Sequence, residues 1–328
     1  MSSEGELSDD EELLSSGRWV HSGRGTGYAY GKLWRKHDIR LLSIPPRDFN
    51  DQFHCELVHE DLNTLPLYDA ISYTWADDSG DRRKNKAIFL GSVKFMVTSS
   101  CHLALQRARL HGHTEIWIDA VCINQDDTDE RSHQVQLMAQ IYAGARSVLV
   151  YIGEESTDSS EVLNHLAQGM HLIEKKAAVT TLLGRPYFWR VWILQEIALA
   201  RKATLVCVPL ALSFVAPEFR SIEELPRLLD ISSFCEATDP RDKVYALLGL
   251  ATGTEGYGFL PDYDIDLEEV YVKTAILIVA SCGPLALLTR TVCRRSISPA
   301  LPWVPDWRSY SPVSLSLTGE ISILDEIR

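Results

Sequence analysis

The chain has 328 residues, a length that suggests about two domains, and its 45% apolar and 23% charged content is ordinary for a globular protein. A formal net charge of −13 argues against a protein that binds a nucleic-acid backbone or an anionic membrane surface. The seven cysteines are never spaced as Cys-x-x-Cys and read as reduced intracellular thiols, not as a disulfide framework or a zinc site.

Residues 1–31 are rich in Ser, Gly, Asp and Glu, with the acidic run Asp9–Glu12, a composition that predicts disorder. This N-terminus carries no hydrophobic segment of a signal peptide. No apolar run approaches the ~20 residues of a membrane span, so a soluble, cytoplasmic protein is expected. Ile39–Ile44, ended by Pro45 and Pro46, and Phe53–Val58 read as a hairpin-like pair of strands. Tyr68–Trp75 (YDAISYTW) is a strand rich in β-formers. Residues 87–90 and 93–97 flank Gly91 as a second hairpin. A helix follows, capped by Thr98 or Ser99 and stopped by Gly112. His111 and His113 flank that glycine without the spacing of a ligand set, and no metal is expected.

The strongest signal is Ile116–Gln125, IWIDAVCINQ. Its nearly continuous apolar run predicts a strand buried on both faces, as in a parallel sheet. Asp126, Asp127, Thr128 and Asp129 then supply a helix start. Val135, Met138, Tyr142 and Ala145 recur at helical spacing, and Ser147–Ile152 is a further strand, giving a β-α-β unit with a right-handed crossover. Asp119 interrupts the apolar run. A carboxylate in a buried strand costs several kcal/mol, on the order of the desolvation of a polar group, unless it is satisfied. Two readings stand: a structural Asp that accepts backbone N–H bonds, or a residue lining a cleft at the carboxyl end of the sheet.

Downstream, residues 159–176 read as an amphipathic helix with Val162, Leu166, Met170 and Ile173 on one stripe. Tyr187–Ala200 (YFWRVWILQEIALA) reads as an apolar helix that places Trp189, Trp192 and Glu196 on one face. Glu196 is either ion-paired with Arg185, Arg190 or Arg201, or a carboxylate held beside an aromatic stripe and perturbed by desolvation, as active-site carboxylates are. Ala203–Val208 is a strand; helices are expected near 220–229, 237–250 and 267–281; Pro302–Trp307 is a Pro-locked segment whose two Trp residues pack on the core.

Three blocks, YDAISYTW (68–75), IWIDAVCINQ with Glu130, Arg131, Met138, Tyr142 and Ala145, and RPYFWRVWILQE (185–196), resemble the blocks of the fungal heterokaryon-incompatibility (HET) domain. TDPRDKVYALLGL (238–250), PDYDIDLEEVY (261–271) and PWVPDW (302–307) resemble the segments that follow it. Where that family usually has Gly after the first block, this chain has Ala76. The resemblance runs from about Ile39 to Trp307, so the expected layout is a disordered acidic N-terminus over residues 1–38, read from composition, the HET domain over 39–210 and a mostly helical extension over 211–328. It implies a role in non-self recognition leading to programmed cell death, and a remote Toll/interleukin-1-receptor-like kinship. The expected fold is α/β, a flavodoxin-like parallel sheet with flanking helices. In enzymatic members of that superfamily the Glu matching Glu196 serves NAD⁺ cleavage; other members are adaptors. NAD⁺ would be a substrate and not a resident cofactor. Tyr73, Trp75, Asp119, Asn124, Gln125 and Trp192 would surround it. Protein partners or self-association are the alternative route to signalling.

Overall fold

The computed structural model describes residues 28–46, 51–77, 79–168, 175–207, 210–214, 225–251, 258–291 and 295–308, with the short strands Glu11–Leu13 and Trp19–His21. The chain divides into two compact units, residues 1–187 with 199–216 and residues 188–198 with 217–328.

The first unit is built on a sheet whose strands are β1 (Glu11–Leu13), β2 (Trp19–His21), β3 (Asp38–Ser43), β4 (His54–Asp61), β5 (Asp69–Ser72), β6 (Lys84–Leu90), β7 (Val93–Thr98), β8 (Glu115–Trp117), β9 (Val148–Tyr151), β10 (Ala203–Cys207) and β11 (Leu210–Phe214). Its helices are α1 (Ser99–Leu110), α2 (Asp119–Cys122), α3 (Thr128–Gly144), α4 (Thr157–Ala167) and α5 (Lys176–Leu183). The main path runs β1-β2-β4-β3-β8-β5-β9-β10-β11. At its centre β8, β5, β9 and β10 are parallel. Numbered by their order in the chain, these four strands stand as 2-1-3-4. Every residue of β5 and β9 is buried, the burial that continuous apolar strands need.

The sheet is α/β, as expected, but mixed where a parallel sheet is expected. β3 pairs antiparallel with both β4 and β8, and β11 pairs antiparallel with β10. The β3–β4 pair is the hairpin read at residues 39–58. The second hairpin, β6–β7, turns at Gly91 with φ +59°, a left-handed conformation open to glycine. Thr98 caps α1, its hydroxyl accepting from the Cys101 amide at 3.1 Å. β8 and β9 are parallel but not neighbours; β5 lies between them, so the crossover through α3 passes over one strand.

IWIDAVCINQ departs most from its expected form. The strand ends at Trp117, and residues 119–122 are one helical turn, with the amides of Val121 and Cys122 both donating to the Ile118 carbonyl. Asp119 therefore starts a turn at the carboxyl end of β8 and does not sit inside a buried strand. Its own carboxylate favours the turn by accepting from the Ala120 amide at 2.7 Å.

That turn is held by a charge the apolar run at 39–44 conceals. Arg40, on β3, is fully buried and makes a bidentate pair with Glu130 of α3 at 2.6 and 2.8 Å. Its guanidinium also donates to the carbonyls of Cys122 (3.1 Å) and Gly31 (2.6 Å) and lies 4.8 Å from the Tyr30 ring centroid. Glu130 in turn accepts from the Asn124 amide at 2.7 Å. Tyr30 closes the group by donating to the Val121 carbonyl at 3.0 Å. Within the stretch whose composition reads as disorder, β1 and β2 thus pair antiparallel and residues 30–31 bond to this cluster; residues 1–10, 14–18 and 22–27 lie outside the described residues.

At the opposite, amino edge of the central strands, Asp69 is buried and accepts from the Ser147 hydroxyl (2.8 Å) and Arg146 Nε (3.1 Å), with His113 Nδ1 at 2.6 Å. Burial pushes its pKa up, but the bonds from His113, Arg146 and Ser147 together outweigh it and hold the carboxyl well below the usual range.

The second unit holds α6 (Ile193–Ala198), α7 (Leu225–Ile231), α8 (Asp242–Leu248), α9 (Leu267–Cys282) and α10 (Pro284–Thr291), the helical character expected of the C-terminal part. α6 is shorter than the helix read over 187–200. Pro186–Trp189 is a 3-10 turn, and Arg190 then bridges to Glu236, with the Val191 amide donating to the Glu236 carbonyl at 3.0 Å. That backbone partner competes with helix. The helix read over 159–176 ends at Ala167, and Met170 and Ile173 lie outside the described residues. The blocks at 238–250, 261–271 and 302–307 fold against one another. Arg241 donates to the carbonyls of Tyr263 (2.8 Å) and Ile265 (2.7 Å), Tyr271 donates to the Pro240 carbonyl (3.1 Å), and the Tyr271 and Trp307 rings meet edge to face at 5.0 Å. Trp307 is buried, whereas Trp303 is 39% exposed. Among the described residues no helix is long and apolar enough to cross a membrane.

Removing one partner of a buried ion pair strands the other, so Arg40→Met should lower unfolding stability by about 3–5 kcal/mol in urea titration, and Arg40→Met with Glu130→Leu by clearly less than the sum of the two single changes. Asp69 stabilises the fold above the unfolded carboxylate pKa and loses that contribution as pH falls toward its lower folded value. Asp69→Asn should therefore flatten the acid limb of stability against pH below about 4, the unfolded Asp range, which thermal melts across pH would read.

Candidate functional site

Because β8, β5, β9 and β10 are parallel, their carboxyl ends share one edge of the sheet, the edge at which ligands of open α/β folds bind. Trp75, just past β5, and Asp119, just past β8, meet there. The Trp75 indole N–H donates to Asp119 Oδ2 at 2.9 Å, and both side chains are part-exposed. Gln125 folds back on the same turn, donating from Nε2 to the Asp119 carbonyl at 2.8 Å. Asn124 bonds through its backbone to Glu130, while its side-chain oxygen accepts from the Asp126 amide at 3.3 Å. Trp75, Asp119 and Gln125 are thus one hydrogen-bonded group at the carboxyl edge of the sheet, in which Asp119 also satisfies a backbone amide, as a structural Asp would; Asn124 bonds to Glu130 and Asp126 instead.

Tyr73 is not part of that face. It is 2% exposed, and its hydroxyl lies in hydrogen-bonding reach of the Cys101 thiol at the start of α1. Tyr73 follows the last residue of β5 and packs toward the start of α1, away from Trp75. Beneath the turn, Cys122 is buried, and burial pushes its thiol up to about 12, so it carries no nucleophilic thiolate near neutral pH.

Further along the same edge the sequence reading missed a set of cations. Arg107 of α1 pairs with Glu154, just past β9, which also accepts from the Tyr151 hydroxyl at 2.8 Å. Arg185 donates to the Ile152 carbonyl (2.9 Å) and the Ser156 hydroxyl (3.1 Å). These guanidiniums are engaged in fixing the loop after β9. Nothing in the linear spacing of 107, 154 and 185 signals their meeting.

The second unit carries Trp192 and Glu196. The helix begins at Ile193, so the helical phase that would align Trp189 with them does not exist. Trp189 is 40% exposed and sits edge to face with Phe234 at 6.1 Å. Glu196 is 2% exposed and pairs with Arg190 at 3.2 and 3.4 Å, one of the ion pairs weighed from sequence. Trp192 instead donates its indole N–H to Asp242, at the start of α8. Asp242 was not among the residues read as candidates. Burial pushes its carboxyl up to about 6, against the opposing bonds from the Tyr263 hydroxyl (2.6 Å) and Trp192. It is the one carboxyl in the TDPRDKVYALLGL block without a guanidinium bound to it among the bonds described there; Asp239 takes Arg241.

Residues 68–196 match the family profile described as heterokaryon incompatibility protein (HET). The chain is 26% identical to heterokaryon incompatibility protein 6, OR allele, of Neurospora crassa, over 88% of this chain and 61% of that protein. The chain thus spans less than two thirds of that relative's length. No solved structure matches the chain.

Arg190→Met should leave the Glu196 carboxylate buried without its guanidinium and lower stability by about 3 kcal/mol, the low end for a pair with one part-exposed partner. Adding Glu196→Gln should restore much of that loss, and urea unfolding of the two variants reads both effects.

Proposed function

Residues 68–196 are a heterokaryon-incompatibility domain, and from that premise we propose that the chain is an effector of fungal non-self recognition that triggers programmed cell death by cleaving NAD⁺. The observation that supports this most is the carboxyl edge of the sheet. The central strands stand in the order 2-1-3-4, the flavodoxin-like order short of its last strand, whose ligands sit where the order reverses. Trp75 and Asp119 lie at that edge, joined by a 2.9 Å bond. The same order supports the remote Toll/interleukin-1-receptor-like kinship.

Cleavage of the nicotinamide–ribose bond expels nicotinamide and builds positive charge on the ribose, which water then quenches. A fixed carboxylate stabilises that charge, as in glycoside hydrolysis. Glu196, which matches the superfamily's glutamate, takes that role. Trp75 offers an aromatic face to the dinucleotide, and Asp119 orients the indole and accepts from ribose hydroxyls. Asn124 and Gln125 keep the turn in shape, and Tyr73 packs the core behind it.

A second reading has its own support. Glu196 is buried in an ion pair with Arg190, the arrangement of a structural carboxylate. In this reading the chain signals without chemistry, through self-association or a protein partner in the cytoplasm.

Concentrated protein incubated with NAD⁺ separates the two. Wild type should release nicotinamide, and Glu196→Gln should lower the rate by about 10²-fold or more, the usual consequence of removing one electrostatic group from a transition state. Release unchanged in Glu196→Gln would remove Glu196 from the site. No release from protein shown to be assembled would favour the adaptor.

A further inference from the structure

The carboxyl of Asp242 sits where three segments of the second unit converge: the turn carrying Trp192 into α6, the start of α8, and the loop before α9. The Trp192 indole and the Tyr263 hydroxyl both donate to it, the latter at 2.6 Å. Tyr263 is itself fixed on two sides, by the Tyr245 ring at 5.3 Å and the Arg241 guanidinium at 5.1 Å from its centroid. α6, which carries Glu196, packs on α8. We propose that Asp242 is a positioning residue for the Trp192–Glu196 turn, holding the Trp192 indole in a way that depends on whether its carboxyl carries a proton.

The chemistry follows from hydrogen-bond inventory. An ionised carboxylate accepts from both donors at once, and each bond is charge-assisted. A protonated carboxyl must place its own O–H. Against Tyr263 the bond reverses, so that the tyrosine oxygen accepts, and against Trp192 a neutral acceptor replaces an anion. The indole hold weakens in either case.

The charges facing this carboxyl leave it near balance. Asp239 disfavours its ionisation and Arg241 favours it, but Arg241 is already paired with Asp239 and with two backbone carbonyls. Tyr263 and Tyr245 present neutral hydroxyls, the latter donating to the Asp262 carbonyl at 2.7 Å. From α6 and its preceding turn the charged groups are Glu196 and Arg190, paired with each other. Lys243, next in the chain, is turned to the carbonyls of Ser233 and Cys235. Burial then decides, and raises the carboxyl to about 6. A folded value above the unfolded one means the ionised form opposes folding at neutral pH, and folding stability gained from protonation grows as pH falls from about 6 toward the unfolded Asp value. A side chain that weakens the fold at neutral pH while accepting from both the Trp192 indole and the Tyr263 hydroxyl fits positioning work better than scaffolding.

The consequence for catalysis rests on the reading of Glu196 as the catalytic carboxylate, whereas the hold on Trp192 does not. The test keeps the two apart. The Trp192 indole N–H resonance, identified by its loss in Trp192→Phe, is followed by NMR from pH 5 to 8. In wild type it should titrate with a midpoint near 6; in Asp242→Asn it should be flat. Tyr263→Phe, which removes a donor to the ionised form, should move the midpoint upward, and serves if Asp242→Asn does not fold. Where wild type releases nicotinamide, the acidic limb of its pH profile should carry the same midpoint and vanish in Asp242→Asn. An indole resonance that is flat in wild type, or that titrates unchanged in both variants, overturns the proposal. An indole that titrates as stated in a protein without NAD⁺ cleavage leaves the positioning role standing and overturns only the enzymatic reading.

Discussion

The first unit depends on one buried ion pair. Arg40 comes from an antiparallel strand outside the parallel core, yet it reaches through to Glu130 at the start of α3 and to the Cys122 carbonyl between them. A buried guanidinium is costly unless its donors are used. Here the donors of its two terminal nitrogens are spent on a carboxylate and on two backbone carbonyls that a helical turn and an irregular N-terminal segment leave open. The pair thereby does two things a hydrophobic contact could not. It fixes the direction of the chain as it leaves β8, and it ties residues 30–31 to that turn. Asp119 and Trp75 owe their meeting to it, since the turn that presents Asp119 is braced from behind by the Arg40–Glu130 group.

Asp69 plays the matching part at the other edge. It gathers Ser147 from the start of β9, Arg146 beside it and His113 from the loop before β8. The central strands are thus pinned by a buried acid at their amino ends and by a buried base near their carboxyl ends. Apolar burial of β5 and β9 supplies the driving force; the two charged centres set register and end positions.

Much of this was legible in the chain. The alternation and capping of β3–β4, β6–β7 and α1 carry their own signals, in Gly91, Thr98 and Gly112, and the helix at α9 is read to within a residue of its end. What failed did so for identifiable reasons. The apolar run at 116–123 has the composition of a long strand, but Asp119 can bond its own neighbour's amide, and local side-chain bonding beats strand propensity there. The stretch at 187–200 has the periodicity of a helix, but Glu236, some forty places on, captures its backbone first, and no local pattern reports a distant bridge. Arg40 was hidden in plain view: a charge inside an apolar run is the same oddity that singled out Asp119. Asp242 gives no signal of its own because its block reads as ordinary helix, and the aromatic residues around it, at 192, 245 and 263, are scattered along the chain.

The claim on which the rest stands is that Arg40 holds the turn after β8 from behind. Amide hydrogen exchange in Arg40→Met, at pH 7 and well below the unfolding transition, tests it most directly. The account predicts that the amides of Val121, Cys122, Ile123 and Asn124 lose protection while those of β9 keep theirs, because only the turn has lost its brace. Protection at Val121–Asn124 equal to wild type, or a loss spread evenly over the turn and β9, would contradict it.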